Sequence, residues 1–280
     1  MSLGRDTIIT LGTSLPPSLG VFGRLQSLLR HPDTDLGQIT QLVQIDPALT
    51  FQIIKLANSA LFGLNHRSDS LEDAVARVGF GDIHQLVGLA VSRQACQGAL
   101  KQYGIAGGRL WENAVAIGAL NGTLAAAAGA DVRNAYATGL LRSIGKVILN
   151  NYVGAVAYPG EAAKPDVHAW EKATHGISAS EVAAVLLEHW RFSPDSVEAV
   201  RGHHQPEAAS THAAGAARLH LACGLIVEWG CALPGEAGDW RIDEEMLARG
   251  GVRADDLPEA VEQARAKFAA CAKIEWSAAA

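Results

Sequence analysis

The run Gly139-Leu140-Leu141-Arg142-Ser143-Ile144-Gly145-Lys146 sets a guanidinium, a hydroxyl and an ammonium within one short stretch, and His203-His204 adds two imidazoles further along. Arginine grips phosphate through two parallel hydrogen bonds and lysine offers it a point charge, so Arg142 and Lys146 could contact a phosphate-bearing effector, with His203 and His204 beside them. Neutral imidazoles also bind transition metals. Two adjacent residues of a helix, however, point about 100° apart and do not easily share one ion. With no carboxylate beside them, the histidines would neither neutralise an ion nor place a hydroxide for attack on phosphate. Their other role is to hydrogen-bond inside a pocket. Gly145-Lys146 does not complete a phosphate-binding loop, because five residues instead of four separate Gly139 from Gly145 and Val147 stands where a Ser or Thr should meet magnesium. No G-x-S-x-G elbow supports a serine nucleophile.

The four cysteines, Cys96, Cys223, Cys231 and Cys271, form no C-x-x-C pair, which speaks against a zinc or redox site and for small buried side chains in a reducing compartment. With 280 residues, 49% of them hydrophobic, the chain can bury a sizeable core as one large or two smaller domains. A net charge of −6 gives no general attraction to nucleic acid or anionic membrane. No apolar run reaches the roughly 18 residues of a spanning helix, and the N-terminus lacks a signal-peptide layout, so a cytoplasmic location is expected.

The elements that would hold these residues read as helices. Asp46 can cap a helix that opens with Pro47, and Ser70 with Asp73 and Ser178 with Glu181 have capping-box spacing. After Ser178, the apolar Val182, Val185, Leu186 and Trp190 recur on one helical face. The stretch from Leu124 reads as a closely packed helix ending at Gly129, with Asp131 able to start the next. Tyr152 to Tyr158 is the one β-leaning stretch, read as a helix end and a loop. Three glycines between Gly104 and Gly108 break the helical pattern. Asp255-Asp256 could begin a helix with Leu257, Val261, Phe268 and Cys271 on one stripe, packed back on the domain or offered to a partner or a second copy in a homodimer. Asn58 and Ser59 suit the end of the helix after Asp46. Alternatively, with Asn65, His66 and Arg67, they form an exposed polar loop for a partner. Met1-Ser2-Leu3 is set aside from the fold as an added remnant.

Leu15-Pro16-Pro17, Asp46-Pro47-Ala48-Leu49-Thr50, Leu56 to Gly63 and Ser70 to Gly79, followed by Leu110-Trp111-Glu112-Asn113, Gly139 to Lys146, and Trp190 through Arg201-Gly202-His203-His204, resemble in order the HDOD family of bacterial HD-related output domains. The resemblance covers roughly residues 14 to 232. It implies an all-α fold of two packed helical subdomains, the second similar to an HD phosphohydrolase bundle. The expected segments are 1–13, the N-terminal subdomain 14–103, a glycine-rich linker 104–108, the HD-like subdomain 109–232 and a C-terminal extension 233–280.

In HD phosphohydrolases the stretch matching Gly139–Lys146 reads G-L-L-H-D-I-G-K, and its His-Asp pair holds a catalytic metal. Here Arg142 and Ser143 stand in those places. A guanidinium has no lone pair to give and would repel a dication by about 8 kcal/mol at about 4 Å in an effective dielectric near 20. The resemblance puts the other ligand positions at Asn113, Ala179 and Cys223, leaving only His203 and His204 as ligand types. Asn113, Arg142, Ser143, Ala179, His203, His204 and Cys223 are thus the positions of a degenerate site with no metal and no cofactor, and Asn113, Arg142, Ser143, His203 and Cys223 are expected to group in space. The implied function is a non-catalytic signal-transduction module, of the response-regulator output kind, that contacts signalling proteins. The alternatives are a divergent metal-dependent phosphohydrolase or cyclic-dinucleotide phosphodiesterase, and a sensor with a small-molecule or nucleotide effector in the old pocket.

Overall fold

Polar caps start the helices where short side chains precede apolar runs. In the computed structural model, which describes residues 3–59, 62, 67–152, 156–160, 166–208, 212–236, 238 and 240–274, Asp46 accepts the Leu49 N–H at 3.0 Å ahead of Pro47 and so opens α4 (Pro47–Ala57). Ser178 and Glu181 form a complete capping box on α10 (Ala179–His189). On α5 (Leu71–Ala95) half of the expected box is made: Ser70 accepts from the Asp73 N–H, while the Asp73 carboxylate turns instead to Arg77, 2.6 Å away. Gly79 bends α5 with a φ of 74°, a conformation open to glycine at little cost, which accounts for the glycine closing the Ser70–Gly79 motif.

Around α5 pack α2 (Ser18–Leu28), α3 (Leu36–Gln44) and α4. The HD-like half comprises α6 (Gly107–Ala127), α7 (Val132–Leu141), α8 (Ile144–Asn151), α9 (Val167–His175), α10, α11 (Pro194–Gly202) and α12 (Ala213–Leu225), and α13 (Glu244–Gly250) and α14 (Leu257–Ala272) follow. All described helices share one hydrophobic core, in which α5 lies on α7 through Gly88, facing Leu140 and Tyr136. The fold is all-α; among the described residues the β-type pairing is a single isolated bridge, Leu100 to Ile105. None of these helices is long and apolar enough to cross a membrane.

The bridge closes a tight turn through Lys101–Tyr103 and Gly104, and α6 then opens at Gly107, inside the glycine-rich stretch. The Gln97 carbonyl lies so close to Gly107 that a Cβ could not fit. One sequence expectation needs correction at the N-terminal end. Leu3, set aside from the fold, is buried in the core, and α1 (Arg5–Gly12) packs on α8 and α10, with Arg5 bonded to Glu188 at 2.7 Å. The stripe on α14 is spent within the chain: Ala260, Ala264 and Cys271 are buried against the body, α14 lies along α6, and Phe268 stacks on Trp229. Asp256 stands at the α14 N-cap position without making a side-chain cap bond.

Close helix packing explains the glycines of the Gly139–Lys146 stretch. A Cβ on Gly139 would come within 2.7 Å of the Gly118 Cα, where α7 crosses α6, and one on Gly145 would collide with the Ala179 carbonyl of α10. These glycines let backbones touch. Gly139→Ala should lower stability by about 1–3 kcal/mol through overpacking, read as a lower urea midpoint with an unchanged far-UV helix signal.

Candidate functional site

α7 ends at Leu141 with Arg142 as its C-cap, and α8 begins at Ile144, so the junction at Ser143 turns both Arg142 and Lys146 inward. Buried cations need partners, because stripping water from an unpaired charge costs several kcal/mol. The partners are two carboxylates. Glu171 of α9 accepts from Lys146 Nζ at 2.9 Å, from the Tyr103 hydroxyl at 3.1 Å and from the Ala179 N–H at 2.7 Å. Glu236, from the connection between α12 and α13, accepts from Arg142 and lies 3.2 Å from Lys146. The four side chains are each at most 5% exposed, and their charges sum to zero.

The electrostatics follow from that enclosure. Burial alone would raise the Glu236 carboxyl, but Arg142 and Lys146 outweigh it and hold the group down to about 2. Burial likewise works against the charge on Arg142 and Lys146, and the carboxylates more than restore it. The Cys223 thiol is pushed up to about 12 by burial, so it is protonated at neutral pH.

His203 is brought to the same place and kept neutral. Arg142 Nη1 is 3.2 Å from its Nε2, and a guanidinium can only donate. The Nδ1–H therefore donates to the Val200 carbonyl at 2.7 Å. Burial and the Arg142 charge lower its pKa to about 3. His220 repeats the pattern: the Arg241 backbone N–H donates to its Nε2 and its Nδ1–H donates to the His203 carbonyl, both at 2.8 Å. His203 keeps helical backbone angles as the C-cap of α11, and the two side chains turn so that their rings lie 4.3 Å apart. His204 also stacks on Trp240 at 5.0 Å and on His168 at 4.6 Å, and burial holds its pKa well below the ordinary value.

Of the positions marked in the sequence, Arg142 lies 3.5 Å from the Asn113 carbonyl oxygen and Ser143, Ala179, His203 and His204 line the same small space, with Cys223 within electrostatic reach of Arg142. The remaining volume is about 10 Å³, no more than one water occupies. This donor set does not fit the metal that an HD centre implies. The His203 lone pair and both carboxylates are taken by Arg142 and Lys146, and among the described residues no group of three His, Cys, Asp or Glu could hold an ion. Asn58, Ser59 and Arg67 belong elsewhere, to the loop after α4. Asn58 bonds both backbone groups of Ser68 at 2.8 and 2.7 Å, Ser59 bonds the Leu56 carbonyl, and Arg67 is exposed. Asn65 and His66 lie outside the described residues.

Sequence reading missed Glu171, Glu236 and Trp240. Glu171 left a signal, an acid on the buried face of α9 beside Val167 and Trp170. Glu236 and Trp240 left none, since they sit in an irregular segment beyond the recognised motifs.

Fold and site together define an all-α, HD-like protein with an internal ion-pair cluster at the junction of α7 and α8. The HDOD domain model matches residues 15–206, more than half of the chain, and the chain belongs to that family. An uncharacterized protein of Treponema pallidum (strain Nichols) is 29% identical over 194 residues, 64% of this chain and 36% of that protein, so the chain spans little more than a third of that relative. Among solved structures, an HDOD domain protein of unknown function from Geobacter sulfurreducens has a TM-score of 0.73 at 19% identity, covering 96% of this chain and 99% of that one. A protein of Marinobacter aquaeolei VT8 provisionally named for signal transduction scores 0.67 at 23% identity, covering 98% and 62%. One from Shewanella amazonensis SB2B provisionally named a phosphohydrolase scores 0.68 at 22% identity, covering 93% and 94%.

Removing one member of a buried ion pair strands its partner, so Glu236→Gln should cost about 3–5 kcal/mol in urea unfolding at neutral pH. Acid should also destabilise the protein. Below the ordinary imidazole value of 6.5 the unfolded chain binds protons that folded His203 refuses until about 3, and below 4.5 Glu236 adds a further loss extending to about 2. Stability is thus fully present above about pH 6.5 and falls as pH drops, by up to about 1.4 kcal/mol per unit for each buried neutral imidazole. Urea midpoints between neutral and mildly acidic pH should show a shallower slope in His203→Gln.

Proposed function

We propose that this chain is a non-catalytic regulatory module of bacterial signal transduction that works through contacts with signalling proteins. The observation that carries this reading is the closed cluster of Arg142, Glu236, Lys146 and Glu171, which puts paired protein charges where an HD enzyme needs an ion and an open position for substrate. With about 10 Å³ remaining there, the cluster also argues against a nucleotide effector in the old pocket. The provisional name of the Marinobacter relative agrees with a signalling role.

The N-terminal half supports protein contact. Ile45 and Phe51, on the α3–α4 side, are 64% and 69% exposed, unusual for large apolar side chains and typical of a surface that meets another protein. Asn58 fastens Ser68 and so fixes the base of the following loop, leaving Arg67 outside. A rigid body presenting a loop and an apolar patch suits recognition.

Two assays test the reading. The protein loaded with iron or manganese should not hydrolyse cyclic dinucleotides or a generic phosphodiester, and His203→Ala with His204→Ala should change nothing. Metal-dependent turnover lost in that double variant would overturn the proposal in favour of an enzyme. In a pull-down from native lysate, Phe51→Ser, or Arg67→Glu with Asn65→Asp, should weaken capture of a specific partner without altering the unfolding midpoint.

A further inference from the structure

A second cavity, of about 240 Å³, lies between the side of α6 and the N-terminal ends of α7, α11 and α12, one helical turn along α7 and α11 from the charged cluster. It shares no lining residue with the old metal centre. Its walls leave unmet electrostatic demands of both signs.

The demand for an anion comes from α12. His212 stands at its N-cap position but makes no side-chain cap, so the first-turn N–H groups around Ala214 and Gly215, which line the cavity, have no side-chain acceptor and carry the positive end of the helix dipole. Arg218, one turn on, has no ion pair among the described residues; its one hydrogen bond there runs to the Gly250 carbonyl at 2.7 Å, and its Nε is buried without an acceptor. Burial disfavours its charge and Asp195 compensates only in part, while that carboxylate is also bonded to His212 at 2.5 Å.

The demand for a donor comes from the opposite wall. Asn121 is 2% exposed and its amide nitrogen donates to the Ala135 carbonyl, but its carbonyl oxygen has no donor. An orphaned acceptor at such depth costs about 1–3 kcal/mol and implies a partner. The Asp131 and Asp195 carboxylates lie on the same lining and disfavour a bare anion, while Arg218 and the helix end disfavour a bare cation. The Asn134 carbonyl oxygen is already used by Ser193 and Ser196.

We propose that this cavity binds a small zwitterion of the α-amino-acid class, with its carboxylate on the first turn of α12 and Arg218 and its ammonium on Asn121 Oδ1 and Asp195. The volume, below the roughly 300 Å³ at which drug-sized pockets begin, suits such a molecule and excludes a nucleotide. The site is independent of the regulatory reading above.

The test is thermal shift and titration calorimetry on the full chain with the common L-α-amino acids as probes at millimolar concentration, alongside the methyl ester and N-acetyl derivative of any that bind and inorganic phosphate. At least one free amino acid should raise Tm and release or absorb heat, and blocking either charged end should weaken it at least about tenfold. Asn121→Leu and Arg218→Met should weaken it similarly, each shift being taken against the variant's own ligand-free Tm. Asp195→Asn, at a largely exposed carboxylate, keeps the test decisive should the buried variants fold poorly, and it should also weaken binding. Absence of binding by every amino acid, equal binding of a blocked derivative, binding of phosphate alone, or binding unchanged in Asp195→Asn would each overturn the assignment.

Discussion

The bond from Arg142 to Glu236 is the interaction on which the HD-like half depends. A guanidinium held in a protein interior must be matched, and the match comes from 94 residues further along the chain, in a segment with no regular structure. That one requirement fixes the connection between α12 and α13 against the mouth of the old metal centre and brings Trp240 over His203 and His204. Lys146 and Glu171 then complete a neutral quartet, and Tyr103 and the Ala179 N–H also donate to Glu171. The junction of α7 and α8 contributes Arg142 and Lys146, the face of α9 Glu171, the first turn of α10 the Ala179 N–H and the end of α11 His203, so the cluster ties these elements together.

A centre built on fixed protein cations differs from one built on a metal. A metal with an open coordination position polarises water and tolerates exchange of ligands. Arg142 and Lys146 are covalently part of the fold and are paired with two carboxylates beside the neutral His203. What remains is a scaffold whose helices are held in one arrangement, well suited to presenting surfaces.

Two of those helices also link the charged centre to the second cavity. α7 runs from Asp131 and Asn134 at the cavity to Arg142 at the cluster, and α11 runs from Asp195 to His203. Thr138, Ser196, Asn134 and Ser193 share hydrogen bonds between these helices and lock their register. A group bound at one end therefore bears on elements that carry the other.

Local chemistry made much of the fold legible in the sequence. Asp46, Asp131 and Ser178 cap the helices they precede because capping needs only a short polar side chain and a nearby N–H. Apolar spacing marked the buried Val182 and Leu186, and the loss of ligand types at Arg142 and Ser143 followed from what a guanidinium and a hydroxyl can bind. The tertiary structure alone decided which acids meet Arg142 and Lys146, that His203 and His204 lie ring to ring beyond the end of α11, that Leu3 is core and that α14 lies on α6. Those outcomes depend on contacts between residues far apart in the chain, where burial and charge neutrality act on distance in space and leave no periodic trace along the sequence.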